Sequence, residues 1–164
     1  MSESSDAGFD KQKELAAVND LYSRWCKAWL SFPDTTLMLS LYDKEFDGML
    51  YTAEEIPSGL LTYKDIEAYW HNAHNLLASV TDWTEMSKSV SFLSPTAAIV
   101  WAEVMTALTT TVMPEKIVGK LRCSIGVRKG KQGWAIVHYH ESRQLLAAAD
   151  KAGKWSFFVD MTIK

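Results

Sequence analysis

Gly133-Trp-Ala-Ile-Val-His-Tyr-His-Glu-Ser-Arg143 is the stretch whose reading decides the fold. As a strand it alternates, with Trp134, Ile136, His138 and His140 on one face and Ala135, Val137, Tyr139 and Glu141 on the other. A strand that buries a tryptophan and also carries two histidines and a carboxylate implies a sheet with polar work near its end. Three earlier stretches share the period of two, at about 82–93, 97–111 and 116–128. They are separated by Ser94-Pro95, Met113-Pro114-Glu115 and Arg128-Lys129-Gly130-Lys131, which carry the turn and strand-breaking residues.

Ahead of the strands the period is helical. Leu15, Val18, Leu21, Tyr22, Trp25 and Trp29 recur at three- and four-residue steps, giving one apolar helix face that ends near Phe32-Pro33. Asp34 can cap a short second helix carrying Leu37, Met38 and Leu41, and residues 46–52 read as a brief extended piece. Thr62 and Asp65 form a capping-box pair, opening a helix that places Ile66, Trp70, Ala73, His74 and Leu77 on one face. Helices first and antiparallel strands afterwards predict an α+β domain, helices packed on one face of a curved sheet.

The 164 residues suit one domain with a full core. Residues 11–143 carry it, residues 1–10 read as a disordered start, and residues 144–164 form an extension. In that extension Trp155, Phe157, Val159, Met161 and Ile163 alternate with Ser156, Phe158, Asp160 and Thr162. This reads as a possible extra strand that extends the sheet or covers a partner subunit. A net charge of −3 without a basic run argues against nucleic acid. The apolar run from Thr96 to Met113 carries Glu103 at its centre and many β-branched residues, so it reads as a buried strand and no membrane span is expected. Cys26 and Cys123 lie in apolar patterns as free thiols, and Met1 to Gly8 lacks a signal-peptide pattern; the expectation is a cytoplasmic protein.

The order helix, helix, strand, helix, four strands, closing on Gly-Trp-x-Ile-Val-His-x-His-x-Ser, resembles the SnoaL-like branch of the nuclear transport factor 2-like superfamily. The resemblance spans about residues 15–143 and looks closest to the association domain of calmodulin-dependent protein kinase II and its bacterial relatives. It implies a cone-shaped α+β barrel of the cystatin-like kind, with a curved antiparallel sheet wrapped around N-terminal helices. It further implies a pocket between the first helix and the concave sheet, and a homodimer packed through the sheet. In the kinase hub domains arginines from three strands bind anions in that pocket. Here two of those positions are Glu103 and Glu141, and the third is Ser124, or Arg122 if the preceding loop shifts by two, so hub-type anion binding is not carried over.

Seven tryptophans, six tyrosines and six phenylalanines can fill a core, make an interface or wall a site for a flat ligand. Tyr22, Trp25 and Trp29 on the first helix, with Asp47, Trp70, Trp101, Met105, Arg122, Ser124, Tyr139 and Glu141, are the expected pocket residues. Glu103, between Trp101 and Met105, is read as a general acid or base facing the pocket, with Tyr51, His74 or Tyr139 polarising an oxygen. Its alternative is an ion pair to Arg122. His138 and His140 have no third ligand at suitable spacing, so neither a metal nor a cofactor is expected. The readings that remain are a binder of an unknown aromatic or apolar small molecule, a cofactor-independent isomerase, cyclase or dehydratase, and a non-catalytic oligomerisation module.

Overall fold

The computed structural model describes residues 9–53, 56, 58–112 and 115–145. The first helix, α1 (Lys11–Leu30), begins where the Asp10 side chain accepts the Gln12 and Lys13 amides, each at 3.1 Å. A short α2 (Thr36–Ser40) and a three-residue β1 (Leu50–Thr52) follow. The next helix, α3 (Tyr63–Asn72), opens with the Thr62–Asp65 capping box and ends in a single 3₁₀ turn, Ala73–Asn75. Four long strands complete the described chain: β2 (Leu77–Ser94), β3 (Ala97–Thr110), β4 (Ile117–Gly130) and β5 (Gly133–Leu145).

The sheet order is β1-β5-β4-β3-β2, antiparallel except where β1 runs parallel to β5. Irregular register at four places between β2 and β3 and at one between β4 and β5 bends the sheet. Its concave face takes α1. Trp25 is the centre of this contact, with Trp83 of β2 at 5.3 Å and Tyr139 of β5 at 5.7 Å between ring centroids. A ring of that size removes about 150–250 Å² from water, on the order of 4–6 kcal/mol before chain entropy is counted. One end of α1 is locked to the sheet by Glu14, which accepts from the Trp134 indole N–H at 2.7 Å and from Lys129 at 2.6 Å. These two donors hold the Glu14 carboxyl below its ordinary range.

Strict alternation fails in β5. Gly126 pairs with His138 but Val127 pairs with Ile136, so Val137 is an extra residue and the strand is bulged. Trp134 and Ile136 therefore point inward together with Tyr139 and Glu141, while His138 and His140 point out. A glycine is needed opposite the bulge, because a Cβ at Gly126 would stand 2.8 Å from the His138 Cβ.

Strand β3 turns its smaller side chains inward, opposite to the expected face. Ala98, Val100, Ala102 and Val104 are the buried face; Ile99, Trp101, Glu103 and Met105 lie on the outer, convex one. Cys26 and Cys123 are both free. No helix among the described residues is long and apolar enough to cross a membrane. The expected start at 1–8 and the extension from 146 onward lie outside the described residues.

Candidate active site

At one end of the molecule β2 begins, β3 ends, β4 begins and β5 ends, and the sheet leaves a cavity of about 310 Å³ beneath the helices. Its aromatic wall is Trp29 of α1 with Tyr69 and Trp70 of α3. The Trp29 ring is fixed by stacking on Trp83 (4.4 Å, 9° between planes) and by an edge contact with Trp70 at 5.0 Å. Leu77, Leu108 and Ile117 supply the aliphatic side.

Against these walls stand two charged side chains. Glu141 is buried, at 7% exposure, and lines the cavity with Arg143, two residues further along the same face of β5. A carboxylate in such a place needs partners, since desolvation otherwise costs several kcal/mol. The Tyr139 hydroxyl donates a hydrogen bond to Glu141. Tyr139 is itself clamped between Tyr51, stacked at 5.0 Å, and Trp25. Burial first, and the Glu141 charge second, push the Tyr139 phenol far up, so it remains a donor at every working pH.

Arg143 is anchored too. Its guanidinium donates to the hydroxyl of Thr106, which is fully buried and in turn donates to the Gly119 carbonyl at 3.1 Å. Spending its proton on Gly119 leaves the Thr106 oxygen free to accept from Arg143. Carboxylate and guanidinium thus each meet a hydroxyl, on a wall that is otherwise mostly rings and aliphatic groups, with Thr110 beside them. Such a pair can take a proton from a bound molecule and stabilise the charge that develops on it.

The residues singled out from sequence divide sharply. Trp29, Trp70 and Glu141 line the cavity, and Tyr139 supports Glu141. Tyr22 and Trp25 are core instead, bordering a void of only about 10 Å³. Tyr51 is packed against Tyr139 and Tyr69, outside the lining. Asp47 lies exposed in a turn. His74 is also exposed, because α3 tightens into its 3₁₀ turn at Ala73 and swings the next side chain outward.

Glu103, Trp101, Met105, Arg122 and Ser124 all stand on the outer face and cannot reach the cavity. Glu103 meets Arg122 at 3.1 Å and Lys120 at 3.5 Å, and the Arg122 hydrogen bond holds its carboxyl below the ordinary range. A Glu103 general base facing the pocket is therefore overturned by register. Sequence reading missed Tyr69, Leu108, Ile117 and Arg143. Arg143 had a visible signal, since it is in phase with Tyr139 and Glu141. Among the described residues no three His, Cys, Asp or Glu side chains are grouped to hold a metal.

Residues 18–147 match the SnoaL-like domain family. The chain belongs to that family. No curated protein matches it. Among solved structures it is similar to hexachlorocyclohexane dehydrochlorinase LinA-type3 from Novosphingobium barchaimii, at TM-score 0.69 and 13% identity, over 82% of this chain and 89% of that one. It is also similar to a candidate dehydratase of the nuclear transport factor 2-like family from Streptomyces avermitilis, at TM-score 0.65, 14% identity, and 83% and 99% coverage. A third is a nuclear transport factor 2-like protein of unknown function from Pseudomonas putida, at TM-score 0.62, 16% identity, and 82% and 89% coverage. At these identities the likeness is one of fold, the cone-shaped α+β architecture of the superfamily.

Proposed function

We propose that this SnoaL-like protein binds a flat, largely apolar small molecule in the Glu141 cavity and moves a proton on it without a cofactor. The reaction class is that of an isomerase, cyclase or dehydratase. The observation that carries this reading is a buried carboxylate, hydrogen-bonded by a buried tyrosine, on the wall of an aromatic cavity of about 310 Å³. In the step proposed, the Glu141 carboxylate takes a proton from a carbon next to a carbonyl. The C–H electron pair becomes a C=C bond, the carbonyl π pair moves to oxygen, and Arg143 faces the resulting oxyanion. That solved relatives of this fold include a dehydrochlorinase and a candidate dehydratase agrees with proton-abstracting chemistry.

Deuterium exchange tests the reading without knowledge of the natural substrate. With 2-tetralone in D₂O, the wild-type protein should accelerate loss of the C1 proton signal in NMR spectra, and Glu141→Gln should not. Equal rates with both proteins would refute a proton-transfer role.

The outer sheet face supports a further part of the proposal. Ile99, Trp101 and Val118 are 39%, 40% and 42% exposed on one side of the sheet. We infer that a second copy covers this face, making a cytoplasmic homodimer with its cavities pointing away from the interface. The free thiols of Cys26 and Cys123 agree with a reducing compartment. Sedimentation of the wild-type protein as a monomer at micromolar concentration would remove this part.

A further inference from the structure

We propose that residues 155–163 of this same chain lie across the mouth of the Glu141 cavity, apolar side inward, and close it. Such a cover builds on the reading of that cavity as a ligand site, but its contacts form whether or not Glu141 moves a proton.

The mouth is open and largely apolar. Beside the cavity runs a groove of about 370 Å³, and the two share Tyr69, Ala73 and Leu76. Leu76 is 48% exposed and Val112 is 76% exposed. Thr111, between Val112 and the end of β3, ties the two together. Its amide donates to the Leu76 carbonyl at 2.9 Å and its hydroxyl to the Asn75 carbonyl at 2.6 Å. Large aliphatic groups fixed in water around a cavity opening suit a surface that another segment covers.

The chain itself supplies the occupant. Leu145, at the end of β5, pairs with Gly119, so it stands two positions beyond Arg143 and opposite a residue two beyond Ile117. The described chain therefore stops at the cavity end of the sheet, and 19 residues of the sequence follow. Extended, residues 146–154 span about 30 Å, whereas the three strand spacings from β5 across to β2 come to about 14 Å. Beyond the break at Ala152-Gly153, Trp155, Phe157, Val159, Met161 and Ile163 share one side of an extended segment.

Other surfaces within reach fit that apolar side less well. The free edge of β2 carries Asp82, Thr84, Glu85 and Lys88, a polar and charged edge of the kind that resists strand addition. The convex face sets Glu103, Lys120 and Arg122 among its apolar groups. The groove instead offers Leu60, Ala68, Ala73 and Leu76, with Asp65 and Asn72 as its more polar part. Covering it keeps bulk water from the Glu141 and Arg143 side chains, which strengthens every electrostatic interaction there. A ligand enters when the segment lifts.

Disulfide trapping in the full-length protein tests this. Leu76→Cys is combined in turn with one cysteine substitution at each position from 155 to 163. Oxidation by diamide is followed on non-reducing gels and by mass spectrometry, with oxidised wild type giving the background from Cys26 and Cys123. A disulfide needs Cβ atoms within about 4.5 Å. One or more odd-numbered positions should therefore cross-link within a single chain at least about tenfold faster than the even-numbered positions beside them. Val112→Cys is the second anchor, used if circular dichroism shows that Leu76→Cys is unfolded.

No cross-link, equal rates at odd and even positions, or a disulfide between two chains would overturn the closure. So would faster trapping by Thr84→Cys on the edge of β2. Failure of 2-tetralone to exchange deuterium would strike the proton-transfer reading and leave the cross-linking pattern unchanged.

Discussion

Two faces of one sheet each carry a glutamate with an arginine at hand, and the pairs have opposite consequences. On the convex face Glu103 meets Arg122, which is 51% exposed, so water screens the pair and little net stabilisation follows. On the concave face Glu141 is buried under helices and held by Tyr139, in a cavity where charge is weakly screened. The residue types are the same. Each glutamate accepts from a hydroxyl, Ser87 at 3.4 Å for Glu103 and Tyr139 for Glu141, so burial is what separates a surface ion pair from a group able to do acid–base chemistry.

The sharpest way to break that comparison is to neutralise both glutamates in turn. Glu141→Gln should lower the rate of 2-tetralone deuterium exchange by at least about 100-fold, the range expected for loss of a general base. Glu103→Gln should leave it within about twofold. Equal losses would mean that the two faces are not functionally distinct.

The convex face offers the next effect. Trp101→Glu sets a charge on the convex face beside Ile99, Ser89 and Ser124, and should shift sedimentation from dimer to monomer with the exchange rate kept.

The bulge that separates the faces gives a third. Gly126→Ala pushes a methyl group into His138 and should lower Tm by roughly 3–8 °C, read by differential scanning calorimetry.

Smallest is the surface pair itself. Glu103→Gln should lower Tm at pH 7 by no more than about 2 °C. Arg122 depresses the Glu103 pKa in the folded state, so its contribution is present above the unfolded carboxylate value of about 4.3 and fades as pH falls through the folded value. The Tm difference between wild type and variant should therefore vanish in acid, and a difference that grew there would contradict the assignment.

How far the sequence reaches can be judged at these same residues. Helices, strands and turns were legible because each left a period: Val18, Leu21, Trp25 and Trp29 on α1, and the alternation of β3 and β4. The capping box at Thr62 and Asp65 was legible from residue type and spacing alone. What the period could not decide was which side of β3 faces inward. Ile99, Trp101 and Met105 are as apolar as Val100 and Val104, so both faces look like core, and the larger side chains drew Glu103 inward with them.

Strand β5 misled differently. A single extra residue at Val137 changes phase midway, and only pairing with β4 reveals it. Trp29, Trp70 and Glu141 were reachable from sequence because each is anomalous or large on its own element. Leu108 and Ile117 were not, because ordinary aliphatic residues become cavity walls only once four strand ends are brought together.

A crystal structure of the protein grown with 2-tetralone is the most direct test of the Glu141 site. The ligand ring should lie against the wall formed by Trp29 and Trp70, with its oxygen toward Arg143 and its C1 carbon within about 3–3.5 Å of a Glu141 oxygen. A ligand bound instead on the Trp101 face, or a cavity closed over with Glu141 turned to solvent, would contradict it.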